Sequence, residues 1–188
     1  AGHNLSVSSQ LEIKAQGVIE VTDGVLTHEA RALVNHGHLH INGGEVSCDM
    51  TGASRELNGG GLIELSAGAM NFTGGAPQNT LDLNTHMRVT GGVAALSGQV
   101  RIGLGAPATF EVIGDAAQIT MVRLNMGGTI NKGTLRFVLG ASGVSQVRSL
   151  GWMNLGAAKL EVDGSAYQGG PATMVLVDST NMVGEVPA

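Results

Sequence analysis

The chain has 188 residues, of which 43% are hydrophobic and only 13% are charged, and its formal net charge is −5. This composition excludes intrinsic disorder, which requires low hydrophobicity together with high charge. The ten basic residues form no run, so we predict no nucleic-acid partner. No segment approaches the ~20 consecutive apolar residues of a membrane-spanning helix, so we also predict no membrane span.

Short segments of alternating polarity recur along the chain, with apolar residues two apart and a polar residue between them. In chain order these segments are 11–13, 18–21, 38–41, 62–65, 81–83, 87–89, 100–102, 110–112 and 135–137. A period of two predicts β-strands with one buried and one solvated side. Helices are disfavoured because the chain contains 30 glycines, each of which costs a helix about 1 kcal/mol.

Turns rich in Gly and Asn separate the predicted strands, as at 42–44, 58–61 and 90–92. Short strands joined by sharp corners fit a parallel β-helix, in which stacked coils each contribute two or three strands. They also fit an antiparallel sandwich or barrel. The β-helix is favoured because the pattern repeats with little variation and small aliphatic residues occupy the inward positions. Coils of roughly 20 residues would give about six coils over residues 5–138.

The last third of the chain changes character. Residues 139–158 lose the strict alternation, and strand-like segments return at 159–164 and 173–178. The open end of a β-helix exposes strand edges and therefore needs a cap. We predict β-solenoid coils over residues 1–138 and a C-terminal cap, or a continuation of the coils, over residues 139–188.

The Gly-rich runs of residues 89–119 and 133–184 carry a resemblance to a known class of protein. They resemble the passenger-like β-helix segments of bacterial secreted and surface proteins, which are similar to autotransporter-associated repeat proteins. The resemblance covers most of the chain and rests on its pattern, not on catalytic residues. It implies a right-handed parallel β-helix, export from a bacterial cell and membership of a longer polypeptide.

Histidines provide the candidate metal site. In an extended strand His36, His38 and His40 project to one side, and imidazole is a common ligand of zinc, nickel and copper. With Glu45, the spacing also matches half of the metal motif of cupin barrels, although the glycine expected six residues before His38 is Ala32. The simpler alternative is three solvated imidazoles on an outward surface, with no metal.

Carboxylates and arginines at mid-strand outward positions provide the candidate site of a polysaccharide lyase or hydrolase, because glycosidases need two acids ~5–9.5 Å apart. These residues are Glu20, Glu64, Asp82, Glu111, Arg88, Arg101 and Arg136. The alternative is a solvated ladder of alternating charge along one face. Aromatic residues, which bind sugar rings, make up only 3% of the chain.

We therefore predict a non-catalytic extracellular or cell-surface scaffold that adheres to, or binds, a polysaccharide or another surface component. The prediction includes no catalytic residue and no cofactor, and Cys48 is expected to be a small core residue. A polysaccharide lyase or hydrolase on a β-helix is the first alternative. A cupin-like metal-binding barrel is the second.

Overall fold

A computed structural model describes residues 3–76, 78–127, 133–156, 158–171 and 173–182. Within these ranges there are strands and no helices, and therefore no helix that could span a membrane. The strands are β1 (Asn4–Val7), β2 (Leu11–Ile13), β3 (Val18–Val21), β4 (Val25–His28), β5 (Ala32–Asn35), β6 (His38–Asp49), β7 (Arg55–Asn58), β8 (Leu62–Thr73), β9 (Thr80–Leu83), β10 (His86–Val89), β11 (Gly92–Ile102), β12 (Ala108–Ile113), β13 (Ala117–Asn125), β14 (Gly133–Val138), β15 (Val147–Asn154), β16 (Lys159–Asp163) and β17 (Val177–Met182).

Every strand pairing in the described part of the chain is parallel, and each joins one coil to the next. The molecule is a β-solenoid of about six turns. The predicted parallel β-helix is therefore confirmed. The alternative antiparallel sandwich or barrel is wrong, because neighbouring strands run in the same direction around stacked coils and not back and forth around a barrel.

The coils present three faces. We call the first the charged face; it comprises β3, β10, β12, β14, β16 and the first parts of β6 and β8. We call the second the flat face; it comprises β1, β4, the last parts of β6 and β8, and the first parts of β11, β13, β15 and β17. The third face comprises β2, β5, β7, β9 and the last parts of β11, β13, β15 and β17.

The core is a set of apolar rows that run along the solenoid axis. One such row, formed by paired neighbours on the inner side of the charged face, is Leu39, Ile63, Met87, Phe110 and Leu135, each at most 1% exposed. Each side chain in the row packs on the equivalent one in the next coil, so burial continues along the stack. The outward residues between them are polar and mostly accessible, apart from Glu111, which explains the period of two in the sequence.

Glycine is required where corners of successive coils approach closely. At Gly68, where φ is +79°, a Cβ atom would lie 2.1 Å from the Gly44 carbonyl oxygen of the preceding coil. Gly92 repeats the arrangement one coil later, with a φ of +73° and a Cβ position 2.6 Å from the Gly68 carbonyl oxygen. Because a side chain would collide with backbone there and φ is positive, these corners accept glycine alone.

The coils are less uniform in length than the sequence pattern predicts. Leu81 pairs with Val100 of the next coil, whereas Val147 pairs with Val177 across a much longer stretch of chain. All pairings of the described strands are parallel, so the coils differ in the number of residues at the corners between strands.

Strands β15, β16 and β17 pair in parallel with β13, β14 and β15 respectively, and thus stack on the preceding coils. The strand predicted at 173–178 begins instead at Val177. The division between coils and a cap at residue 138 stays a prediction.

Candidate functional site

The charged face carries a ladder of ionisable side chains, one per coil, at positions that pair in register. From one end to the other its members are Glu20, His40, Glu64, Arg88, Glu111, Arg136 and Glu161. Acidic members alternate with basic or imidazole members. Five of the seven candidates for a carbohydrate-active site therefore lie together in this row. They are Glu20, Glu64, Arg88, Glu111 and Arg136.

Glu111 is the most enclosed carboxylate of the ladder, because an arginine approaches it from each neighbouring coil. Its Oε2 accepts a hydrogen bond from Arg88 Nε at 2.6 Å, and its Oε1 accepts one from Arg136 Nη1 at 2.7 Å. Glu111 is only 8% exposed. The hydrogen bond to Glu111 raises the pKa of Arg88 above its ordinary value. The arrangement is a charge-neutralising network, in which both carboxylate oxygens are used.

His38 and His40 lie at the start of the ladder, with ring centroids 5.5 Å apart and ring planes at 16°. His38 Nε2 lies 3.1 Å from Glu64 Oε2, at an angle that does not make a hydrogen bond. His40 Nδ1 lies 3.6 Å from Glu20 Oε1, and His40 Nε2 is 2.9 Å from the Ser66 hydroxyl oxygen. Each imidazole thus faces its own carboxylate on an adjacent coil.

The other two residues of the predicted metal site lie elsewhere. His36 precedes β6, at the corner towards the third face, where it lines a hollow with Asn58 and Asn84. Glu45 lies past the Gly-rich corner of β6, on the flat face, and accepts a hydrogen bond from Asn71 at 3.1 Å. In the described part of the chain no three His, Cys, Asp or Glu side chains are grouped to hold a metal ion.

The remaining two candidates for a carbohydrate-active site, Asp82 and Arg101, pair with each other on the third face. The Arg101 guanidinium donates from Nε and Nη2 to the two Asp82 carboxylate oxygens, both at 2.6 Å. They do not join the row on the charged face, because β9 and the last part of β11 belong to another third of the coil.

A hollow of about 200 Å³ adjoins the charged ladder and is lined in part by His86, Arg88, Thr109 and Glu111. An acid–base reaction on a sugar needs carboxyl groups that are free to give or accept a proton. Glu111 is held by two arginines, and Glu64 and Glu20 each have an imidazole within 4 Å. These contacts favour a structural role for the ladder.

The flat face differs from the charged face in side-chain chemistry. One outward column passes through six successive coils as Ser6, Thr27, Ser47, Asn71, Ala95 and Thr120. All six are short and uncharged, and the column then continues into two charged residues, Arg148 and Asp178, on the next two coils. The column beside it is Asn4, Val25, Glu45, Ala69, Val93 and Gln118, with a single charge. At a strand spacing of about 4.8 Å, the six coils extend for roughly 24 Å.

An apolar hollow of about 180 Å³ lies at the edge of the flat face. Its lining includes Phe72, Leu96 and Leu150, and Leu150 is 54% exposed. Neither this hollow nor the uncharged column from Ser6 to Thr120 was predicted, since short uncharged residues carry no chemical motif that marks them in a sequence.

Cys48 is buried on the inner side of the flat face, as predicted for a core residue. Burial raises the pKa of its thiol, although Arg55 Nε donates a hydrogen bond to Sγ at 3.2 Å. His28 is also inward and 1% exposed, and its Nε2 has no hydrogen-bond partner among the described residues. Burial lowers the pKa of His28, so this imidazole is neutral at pH 7.

Comparisons with known proteins gave no match: no protein-family model, no curated protein and no solved structure matches the chain. The class of protein that the fold defines is a parallel β-solenoid, with a ladder of charged side chains on one face and an uncharged column from Ser6 to Thr120 on another. The resemblance to bacterial passenger-like β-helix segments stays a prediction from the sequence pattern.

Proposed function

We propose that this protein is a non-catalytic extracellular scaffold whose flat face binds a glycan. The observation that carries the proposal is the unbroken column of six short uncharged side chains from Ser6 to Thr120. Hydroxyl, amide and methyl groups there offer both hydrogen bonds and apolar contact, which are the two kinds of contact that a sugar polymer makes.

Binding at the flat face is expected to cost little conformational and desolvation free energy. Short side chains on paired strands have little rotamer freedom to lose, and uncharged groups are cheaper to desolvate than charged ones. A rigid, preorganised surface therefore keeps more of the contact energy as affinity. The face is small compared with the ~1,600 Å² of a standard protein interface. We thus expect weak binding per chain, strengthened when several chains lie along one polymer.

The test is co-sedimentation with a panel of insoluble polysaccharides, combined with titration of soluble oligosaccharides. Ala95→Arg places a long charged side chain in the middle of the column and is expected to weaken glycan binding about tenfold or more. Thr109→Arg, on the charged face, is the matched control and is expected to bind like the original protein. Equal binding by Ala95→Arg and the original, or no bound glycan in the panel, would contradict the proposal.

Whether the protein cleaves polysaccharides is tested separately. Incubation with the same polysaccharides is expected to release neither reducing ends nor unsaturated uronates. Release of either product, abolished by Glu111→Gln or Arg88→Gln, would replace the scaffold function by the lyase or hydrolase alternative. The extracellular location is tested by digesting intact producing cells with a protease, to which an exported protein is accessible.

A further inference from the structure

Two arginines follow one another on adjacent coils at the start of strands of the third face. Ala32 pairs with Glu56 of the next coil, and the Glu56 backbone N–H donates to the Arg31 carbonyl oxygen at 2.9 Å. Arg31 and Arg55, the residues just before these two, therefore occupy the same position on adjacent coils. Like charges at neighbouring positions repel, although Arg31 lies just before β5 and its side chain contacts Glu56.

Arg55 is fixed in place by three acceptors that carry no formal charge. Its Nε donates to Cys48 Sγ at 3.2 Å, its Nη1 to the Ser54 carbonyl oxygen at 3.3 Å and its Nη2 to the Asp49 carbonyl oxygen at 2.7 Å. A guanidinium has five N–H donors, so two remain uncommitted. Among the described residues, no carboxylate forms an ion pair with Arg55.

Arg31 forms an ion pair with Glu56. Its Nε and Nη2 both donate to the same oxygen, Glu56 Oε1, at 3.0 and 2.7 Å, and its side chain is 78% exposed. Hydrogen bonds from Asn58 and then from Arg31 lower the pKa of Glu56, so this carboxylate is ionised. It offsets the charge of Arg31. Hydrogen bonds from Thr51 and, to a smaller extent, the charge of Arg55 lower the pKa of Asp49, so the Asp49 carboxylate offsets part of the second charge.

Arg31 and Arg55 line one hollow of about 340 Å³ together with Ala53 and Ser54. The volume falls within the ~300–1,000 Å³ of typical small-molecule sites. Both charged residues in the lining are arginines. The hollow thus combines two arginine side chains, uncommitted N–H donors of Arg55 and room for a ligand.

We propose that Arg31 and Arg55 form an oxyanion site that takes a sulfate group, either as the free ion or as a sulfate ester on a glycan. The planar fork of a guanidinium matches the oxygens of such a group, and an anion between the two arginines relieves their repulsion. The site uses different residues from the column Ser6 to Thr120, and the proposal does not depend on glycan binding there.

The test is isothermal titration calorimetry at constant ionic strength with three ligands: inorganic sulfate, a sulfated disaccharide and the same disaccharide without sulfate. The variants are Arg31→Gln and Arg55→Lys. Lys159→Gln, on the charged face, is the control; its side chain is 71% exposed and its Nζ lies 2.6 Å from Glu161 Oε1. We expect saturable millimolar sulfate binding by the original protein and the control, weakened about fivefold or more in both test variants.

Tighter binding of the sulfated disaccharide than of inorganic sulfate would identify the ester as the ligand, and equal affinities would identify the free ion. Absence of saturable sulfate binding would overturn the proposal. So would unchanged affinity in Arg31→Gln and Arg55→Lys, or equal binding of the unsulfated disaccharide. If circular dichroism shows that Arg55→Lys does not fold, Arg31→Gln decides, because its side chain lies outside the core.

Discussion

At the scale of single residues, polar side chains in inward positions explain why some strands were not predicted from the sequence. His28, Asn35 and Ser149 all point inward and are at most 2% exposed. Asn35 replaces apolar packing with hydrogen bonds, since it donates to the Leu62 carbonyl oxygen at 2.9 Å and accepts from the Gly37 N–H at 3.1 Å. Such residues interrupt the apolar–polar alternation, so β4, β5 and β15 were not predicted.

Two adjacent glycines permit a matched test of corner packing. In Gly61→Ala the new Cβ would lie 2.3 Å from the Gly37 carbonyl oxygen and 2.8 Å from that of Asn35. The backbone must shift, so we expect the free energy of unfolding to fall by about 1–3 kcal/mol. Gly60→Ala meets no atom within 4 Å, so we expect no loss and a gain of up to ~1 kcal/mol. Urea unfolding measures both, and equal effects would contradict the close approach of these coils.

At the scale of the elements, the period of two was sufficient to predict strands wherever inward positions are apolar, as in β10, β12 and β14. It does not tell which third of a coil a strand occupies, because that depends on corner lengths that vary from coil to coil. Asp82 and Arg101 were therefore grouped with residues of the charged face although they pair on another face. For the same reason Glu45 was grouped with the histidines, from which the corner of β6 separates it.

The ladder of the charged face contributes to stability chiefly where its members are enclosed. Glu111→Gln removes the charge that Arg88 and Arg136 share, so we expect the free energy of unfolding to fall by about 1–3 kcal/mol. Glu161→Gln, at a more exposed rung, is the control and is expected to have little effect, because exposed ion pairs contribute little. Chemical denaturation of both variants measures the difference. A larger loss for Glu161→Gln would show that enclosure does not determine the contribution.

At the scale of the whole molecule, stability in a stacked array depends on neighbours on both sides. Strand β8 pairs with β6 on one side and with β10 and β11 on the other. Strands β1, β2 and β3 pair only with the following coil, and β16 and β17 pair only with the preceding one, within the described residues. The stack is therefore expected to open from its outer rungs.

Native-state hydrogen exchange followed by mass spectrometry tests this expectation. Backbone amides of β1–β3, β16 and β17 are expected to exchange at least about tenfold faster than those of β8, β10 and β12, because local opening costs less free energy at the outer rungs. Exchange at one uniform rate throughout would instead indicate that the solenoid unfolds as a single cooperative unit.

Coils of clearly unequal length stack in one parallel array, as the pairings of Leu81 with Val100 and of Val147 with Val177 demonstrate. Strand pairing sets the spacing between successive coils, whereas the number of residues in each coil can differ. A corner with open space around it, such as the one at Gly164, is accordingly a natural place to graft a foreign peptide. Copies grafted on successive coils would be displayed at a spacing of about 4.8 Å, which the strand pairing sets.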